Sequence, residues 1–269
     1  MKSKNKKKIL IMTGSDLRNR YICSQILKKF KVDGIIYQYR SKKKINSNLN
    51  TSKKEKKFFK RHFLERDISE KKFFRNSEIN ISKIRNLKVT EKKINSKLVE
   101  NFIKDLKPSI VIVYGVGFLK RNIVNILPKN TFNIHSGLTP KFKGDASNFW
   151  AFYFLEPNNA GATIHFLTEK VDSGPIVTQV RPKMNFGDNM HDITNKSLIL
   201  ISKKIIKLIG LIGKIKIKGV NKNGGKNFYS SNFKPYHLKF IYDYYSNKIV
   251  DLYLKKKLHG KSQKLVKQI

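Results

Sequence analysis

The sequence predicts an α/β protein built on one open, mostly parallel β-sheet, and three observations carry that reading. The apolar run Ile9-Leu10-Ile11-Met12 closes on Thr13-Gly14-Ser15-Asp16, and a stretch follows in which Tyr21, Ile22, Ile26, Leu27 and Phe30 line one helix face. A second strand candidate covers residues 32–37, so strand, glycine turn, helix and strand form a βαβ unit with a right-handed crossover. Residues 109–114 then form a continuous apolar run (after Ser109, Ile-Val-Ile-Val-Tyr), the pattern of a strand buried on both faces. Such a sheet is Rossmann-like in class, and it places its binding loops at the carboxyl ends of the strands, where Gly14 falls. No G-x-G-x-x-G accompanies Gly14, so a dinucleotide site has little support.

The remaining elements follow in order. Residues 41–54 are Lys/Asn/Ser-rich and read as a mobile loop within an insertion of about 40–56. Beyond it Phe58, Phe59, Phe63, Phe73 and Phe74 interleave with Lys and Arg. That pattern fits an amphipathic helix with its Phe face on the core better than a stacking surface for bases. Leu98, Val99, Phe102, Ile103 and Leu106 mark a helix over 96–106 that Pro108 ends. A short helix is expected over 120–126, strands over 131–135, 163–167 and 174–180, and a long apolar-rich helix over 192–211. The stretch 213–269 holds a Gly224-Gly225 turn, a Tyr-rich segment and a Lys-rich tail.

Composition narrows the class. A chain of 269 residues with one cysteine, Cys23, has no disulfide framework and no thiolate zinc cluster, and it fits a reducing, cytoplasmic compartment. No His/Asp/Glu spacing suggests a metal, and no apolar run reaches the length that spans a bilayer. Lys+Arg exceed Asp+Glu by 58 to 18, a formal net charge of +40 that permits phosphate-bearing partners. The lysines are spread through both halves together with Asn and Ile, and Arg is scarce, so codon composition accounts for the charge better than a dedicated nucleic-acid stripe.

The chemistry is concentrated between residues 133 and 177. Asn133 and His135 lie two apart in a predicted strand and share a face at its end, where Ser136-Gly137 begins a turn. Asp172 lies in a loop between two later strands. An amide, an imidazole and a carboxylate suit acyl transfer to an amine, supplying oxyanion donors, a proton donor and a proton acceptor. Singly, each of these residue types is more often a cap, a turn former or a satisfied polar group. Spacing alone does not bring Asp172 to His135.

Several motifs occur here in order: Asn133-Ile134-His135 at a strand end, Leu138-Thr139-Pro140-Lys141-Phe142-Lys143-Gly144, and Gly161-Ala162-Thr163-Ile164-His165 leading into Val171-Asp172-Ser173-Gly174-Pro175-Ile176. Together they resemble the catalytic core of the 10-formyltetrahydrofolate-dependent formyltransferases. That family includes the glycinamide ribonucleotide, methionyl-tRNA and nucleotide-sugar amine formyltransferases and formyltetrahydrofolate hydrolase. The resemblance is dense over 114–179 and thinner over 8–37. It implies a formyltransferase fold, with a catalytic domain over 1–212 and a small C-terminal extension over 213–269.

It further implies 10-formyltetrahydrofolate as co-substrate, with Asn133, His135 and Asp172 as catalytic groups. The pterin slot would be formed by Tyr114, Gly115, Val116, Gly117, Phe118 and Leu119 together with Val171 and Gly174. The acceptor would meet Gly14, Ser15, Ser136, Gly137, Lys143 and Gly144. His165 reads as structural or supporting, and His191 as a helix-start residue. Relative to the family pattern the chain has one extra residue in Ser136-Gly137-Leu138-Thr139-Pro140, and Lys143 where Arg is usual. Both departures lie beside the acceptor.

The stretch 213–269 is short for the basic barrel of the tRNA enzymes. No sensing domain is expected before Ile9, and Asp16 weakens a phosphate loop at Gly14-Ser15. The expectation is therefore formylation of a primary amine on a small molecule, an amino sugar linked to a nucleotide, with no membrane partner. A homodimer is compatible with it. The alternatives are a methionyl-tRNA formyltransferase, or a basic RNA-binding protein on a formyltransferase scaffold.

Overall fold

The structure is a computed structural model and describes residues 7–39, 53–77 and 79–269. The expected mobile loop at 41–54 lies almost wholly outside the described residues. Seven strands form one sheet: β1 (Ile9–Gly14), β2 (Gly34–Tyr39), β3 (Arg85–Thr90), β4 (Ile110–Tyr114), β5 (Thr131–His135), β7 (Ala162–Phe166) and β8 (Ile176–Val180). Their order is β3-β2-β1-β4-β5-β7-β8. The pairings among β1–β5 are parallel, and β5–β7 and β7–β8 are antiparallel, so the sheet is open and mostly parallel as the apolar runs predict.

Alternation along the strands divides the core. Ile9 and Ile11 of β1, with Ile110 and Ile112 of β4, join Ile22 and Ile26 of α1 (Leu17–Leu27) and Leu198, Ile201 and Ile205 of α6 (Met190–Leu211). Leu10, Met12, Val111 and Val113 face the other way, onto Val99, Phe102, Ile103 and Leu106 of α3 (Lys97–Leu106). The Phe-rich stretch is α2 (Lys53–Phe74), and Phe58, Phe59 and Phe74 are buried, the packing role that its spacing predicts. The expected helix at 120–126 is shorter, α4 (Arg121–Val124).

Among the elements that escape the sequence patterns, two show why. The edge strand β3 reads RNLKVT and buries only Val89, so it shows no apolar run; exposed charge of this kind also discourages edge-to-edge pairing. The helix α5 (Ser147–Tyr153) buries Ser147 through Phe152 on every side and so lacks a one-sided stripe.

The stretch 213–269 is interleaved with the rest of the chain. Its strand β9 (Lys226–Phe228) pairs in parallel with β6 (Phe142–Gly144). Phe228, Leu238, Ile241, Tyr242, Ile249 and Val250 share a core with Phe149, Trp150 and Phe152 of α5. Its last residues lie along β8, where Gln179 N donates to the Val266 carbonyl at 2.8 Å and Gln268 N to that of Val177 at 3.1 Å. Just before these contacts Gln263 Nε2 donates to the Thr139 carbonyl at 2.7 Å, tying the tail to the loop that follows His135.

Candidate active site

β5 lies where the sheet changes from parallel to antiparallel pairing, and its register places the site. Asn133 lies opposite His165 and His135 opposite Thr163 across the antiparallel β5–β7 pair, so Asn133, His135 and His165 share one face. The loop between β7 and β8 then brings Asp172 over that face, with a φ of 44°, a left-handed backbone that Asp tolerates better than most residues.

Asp172 is the hub. Its Oδ2 meets His135 Nδ1 at 3.1 Å and accepts from Gly144 N at 2.8 Å. Its Oδ1 accepts from Asn133 Nδ2 at 3.1 Å and lies 3.3 Å from His165 Nε2. Burial alone would raise the Asp172 carboxyl pKa. The charge on His135, the contacts with His165 and the Gly144 N–H outweigh it and hold Asp172 well below the usual carboxylate range.

The ring of His135 is the other half of the arrangement. Its Nε2 lies 3.1 Å from the Phe142 carbonyl, which can only accept, and its Nδ1 faces the carboxylate. Two acceptors on two ring nitrogens are both satisfied by the imidazolium form. His165 is set differently. Its Nδ1 donates to the Phe166 carbonyl at 2.7 Å, and its Nε2 lies 3.1 Å from Asn133 Nδ2, a donor. His165 Nε2 thus meets both the Asn133 amide, at 3.1 Å, and Asp172 Oδ1, at 3.3 Å.

Gly144 completes the cradle. It has a φ of 82°, and a Cβ there would strike the carbonyl of Phe228 in the paired strand β9. Gly144→Ala is expected to cost about 1–3 kcal/mol of stability and to loosen the Gly144 N–Asp172 bond together with the β6–β9 pair. Urea unfolding read by tryptophan fluorescence at Trp150 checks this, because that ring stacks on Phe228 at 4.5 Å.

The other sequence candidates fall around this centre. The Tyr114 hydroxyl lies 3.3 Å from Ser136 Oγ, and burial pushes it up to about 12. Gly115 turns sharply at φ 69°, and a Cβ on Gly115 would collide with Asn19, whose Nδ2 donates to the Tyr114 carbonyl at 3.2 Å. Gly117 N donates to Gln38 Oε1 at 2.8 Å, Phe118 is exposed, and Leu119 is buried in the α3-side core beside partly buried Val116. Val171 sits at the surface, and Gly174 passes so close to the Phe166 carbonyl that a side chain there would clash. A Cβ on Gly137 would press on His135 and Ser147, and the Gly137 carbonyl accepts from Thr163 Oγ1 at 2.7 Å. Lys143 lies in β6 beside Gly144, whereas Gly14 and Ser15 lie at the carboxyl end of β1.

Three contributors went unassigned in the sequence, the Phe142 carbonyl, Gln38 and Gln263, and the Gly144 N–H serves Asp172 where the sequence reading places Gly144 at the acceptor. The two backbone groups leave no side-chain signal. Gln38 does leave one, a fully buried polar residue next to the last position of an otherwise apolar strand. Among the described residues no group of three or more His, Cys, Asp and Glu could hold a metal, and no helix is long and apolar enough to cross a membrane.

The family profile described as formyl transferase matches residues 8–209. The chain belongs to the formyl transferase family. Methionyl-tRNA formyltransferase of Borreliella burgdorferi is 29% identical over 131 residues, 48% of this chain and 42% of that protein. The chain thus matches less than half the length of that relative. Among solved structures, phosphoribosylglycinamide formyltransferase from Anaplasma phagocytophilum superposes with a TM-score of 0.56 at 16% identity, covering 84% of this chain and 99% of that one. The formyltransferase PseJ from Anoxybacillus kamchatkensis, in complex with UDP-4,6-dideoxy-4-formamido-L-AltNAc and tetrahydrofolate, gives 0.51 at 20% identity, covering 95% and 100%. At these identities the solved structures establish the fold, and they agree with the open sheet described above.

Proposed function

We propose that this formyl transferase family member moves a formyl group from 10-formyltetrahydrofolate to the primary amine of a small molecule, an amino sugar carried on a nucleotide. The observation that carries the reading is the convergence of Asn133 and His135 within hydrogen-bond reach of the Asp172 carboxylate. In the reaction the unprotonated amine nitrogen attacks the formyl carbon. The new C–N bond forms, the bond from the formyl carbon to the folate nitrogen breaks, and the amine proton passes to that leaving nitrogen.

His135 and Asn133 are the donors available to the developing oxyanion. In this structure every N–H of His135 points at a protein acceptor, the Phe142 carbonyl or Asp172. The reading therefore requires one of them, or an Asn133 N–H, to turn toward the formyl oxygen. Asp172 Oδ2 faces His135 Nδ1 and is the anion positioned to support proton relay. The pterin is assigned to the Gly115–Phe118 turn and the Val171–Gly174 loop. The acceptor is assigned to Ser15, Ser136 and Lys143, with residues 213–269 completing its side through the β6–β9 pair.

Support for a nucleotide-linked acceptor comes from PseJ, whose structure holds a UDP-linked formamido sugar and whose length this chain matches throughout. The similarity to methionyl-tRNA formyltransferase supports charged initiator tRNA as the second reading. A cytoplasmic site of action fits the buried thiol of Cys23, the single cysteine. The test incubates the protein with 10-formyltetrahydrofolate and a panel of amines, including UDP- and TDP-linked amino sugars, glycinamide ribonucleotide and methionyl-tRNA. Released tetrahydrofolate is the readout. Turnover with a nucleotide-linked amino sugar is the expected result; turnover with methionyl-tRNA alone would replace the first reading by the second.

A further inference from the structure

A crevice of about 300 Å³ lies away from the Asp172 centre, lined by Arg20, Tyr37, Tyr39, Ile79, Ile81 and Lys88. The strand β2 accounts for it. Successive side chains alternate, so β2 turns Gln38 to the Gly117 turn on the α3 face and Tyr37 and Tyr39 to the opposite face, beside α1. Lys88 is the register partner of Tyr37 in the parallel pair β2–β3 and therefore points to the same face. Arg20 reaches the crevice from the first turns of α1, and Ile79 and Ile81 close its far side.

The chemistry of these walls is specific. The rings of Tyr37 and Tyr39 lie with centroids 5.5 Å apart at 48°, and Tyr39 is 43% exposed, so its ring is open to the crevice in part. Arg20 and Lys88 are both exposed, and among the described residues neither is paired with a carboxylate, while the nearby Asp16 is engaged by Arg18 at 2.8 Å. Two isoleucines add an apolar rim. A flat aromatic ring would stack on Tyr39 against that rim, while a phosphate would meet the two cations. The volume is at the small end of ligand sites and suits one nucleotide unit rather than a dinucleotide. It also lies at the carboxyl ends of parallel strands, the edge at which such sheets bind ligands.

We infer that this crevice is a binding site for a nucleoside mono- or diphosphate, with the base on Tyr39 and the phosphates between Arg20 and Lys88. The site is built from β2, β3 and α1, and it stands whether or not formyl transfer is the reaction at Asp172.

Titration calorimetry at 150 mM salt tests it on the whole chain, with UDP, ADP, inorganic pyrophosphate and single-stranded RNA as probes. The ionic strength suppresses diffuse binding to a chain of charge +40. One of the two nucleotides is expected to bind, and to bind about tenfold more weakly to Tyr39→Ala and to Arg20→Ala/Lys88→Ala. Tyr39, Arg20 and Lys88 are exposed, and an unchanged circular dichroism spectrum excludes a folding defect. The inference is overturned if neither nucleotide binds, or if both variants bind as the parent does. It is also overturned if pyrophosphate matches the nucleotide, which would leave only charge, or if RNA alone is retained and lost in the variants.

Discussion

His135→Ala is expected to lower formyl transfer by about 10³-fold or more while leaving the protein folded, with the loss in kcat rather than in folate affinity. The ring is where two requirements meet. Its Nδ1 faces the Asp172 carboxylate at 3.1 Å and its Nε2 faces the Phe142 carbonyl at 3.1 Å, so both ring nitrogens meet acceptors. Without it, Asn133 alone remains to stabilise the oxyanion, and no positive charge opposes the one that develops. Folding should persist because Asp172 keeps three partners: Asn133 Nδ2, His165 Nε2 and Gly144 N. Single-turnover kinetics with tetrahydrofolate release measures the chemical step, and added imidazole should restore part of the rate by entering the space left by the ring. A variant that turns over like the parent would remove His135 from the reaction. A variant that loses folate binding and turnover together, with no rescue, would assign it a purely structural role.

What the sequence disclosed follows a physical division. Elements with a strong one-sided or fully apolar pattern, such as β1, β4, α3 and α6, are legible because burial alone selects their residues. β3 is hidden because an edge strand can be mostly polar, and α5 because burial on all sides erases periodicity. The site divides in the same manner. Asn133 and His135 share a face by the geometry of any strand, so their meeting is readable from spacing. Asp172 reaches His135 through a loop, and only the motif resemblance anticipates it. His165 reads as a supporting residue from its strand position; the β5–β7 register then places it opposite Asn133. The extension is least legible, since its contribution runs through backbone pairing of β9 with β6 and of the tail with β8, which any sequence of suitable shape can make.

Asp172→Asn should affect both turnover and stability, and the pH dependence of the second separates the charge from the shape of the side chain. The carboxylate is 11% exposed and faces two histidine rings and two N–H donors. An amide of the same size leaves His135 without its counter-charge and sets one N–H₂ group among donors. Breaking a buried pair in this way costs about 3–5 kcal/mol, and the loss of a charged His135 lowers turnover by about 10²–10⁴. The sign of the pH effect follows from the direction of the Asp172 shift. Burial acts to raise its pKa, but His135, His165 and the Gly144 N–H lower it well below the usual range. A carboxyl whose folded pKa is depressed stabilises the fold fully above its unfolded pKa of about 4, and this stabilisation is lost as the pH falls from there through the folded value. Urea midpoints should therefore differ widely between parent and Asp172→Asn at pH 6, and the gap should narrow at pH 3 because only the parent loses this contribution on acidification. A gap of the same size at both pH values would mean that the carboxylate holds its neighbours by geometry alone.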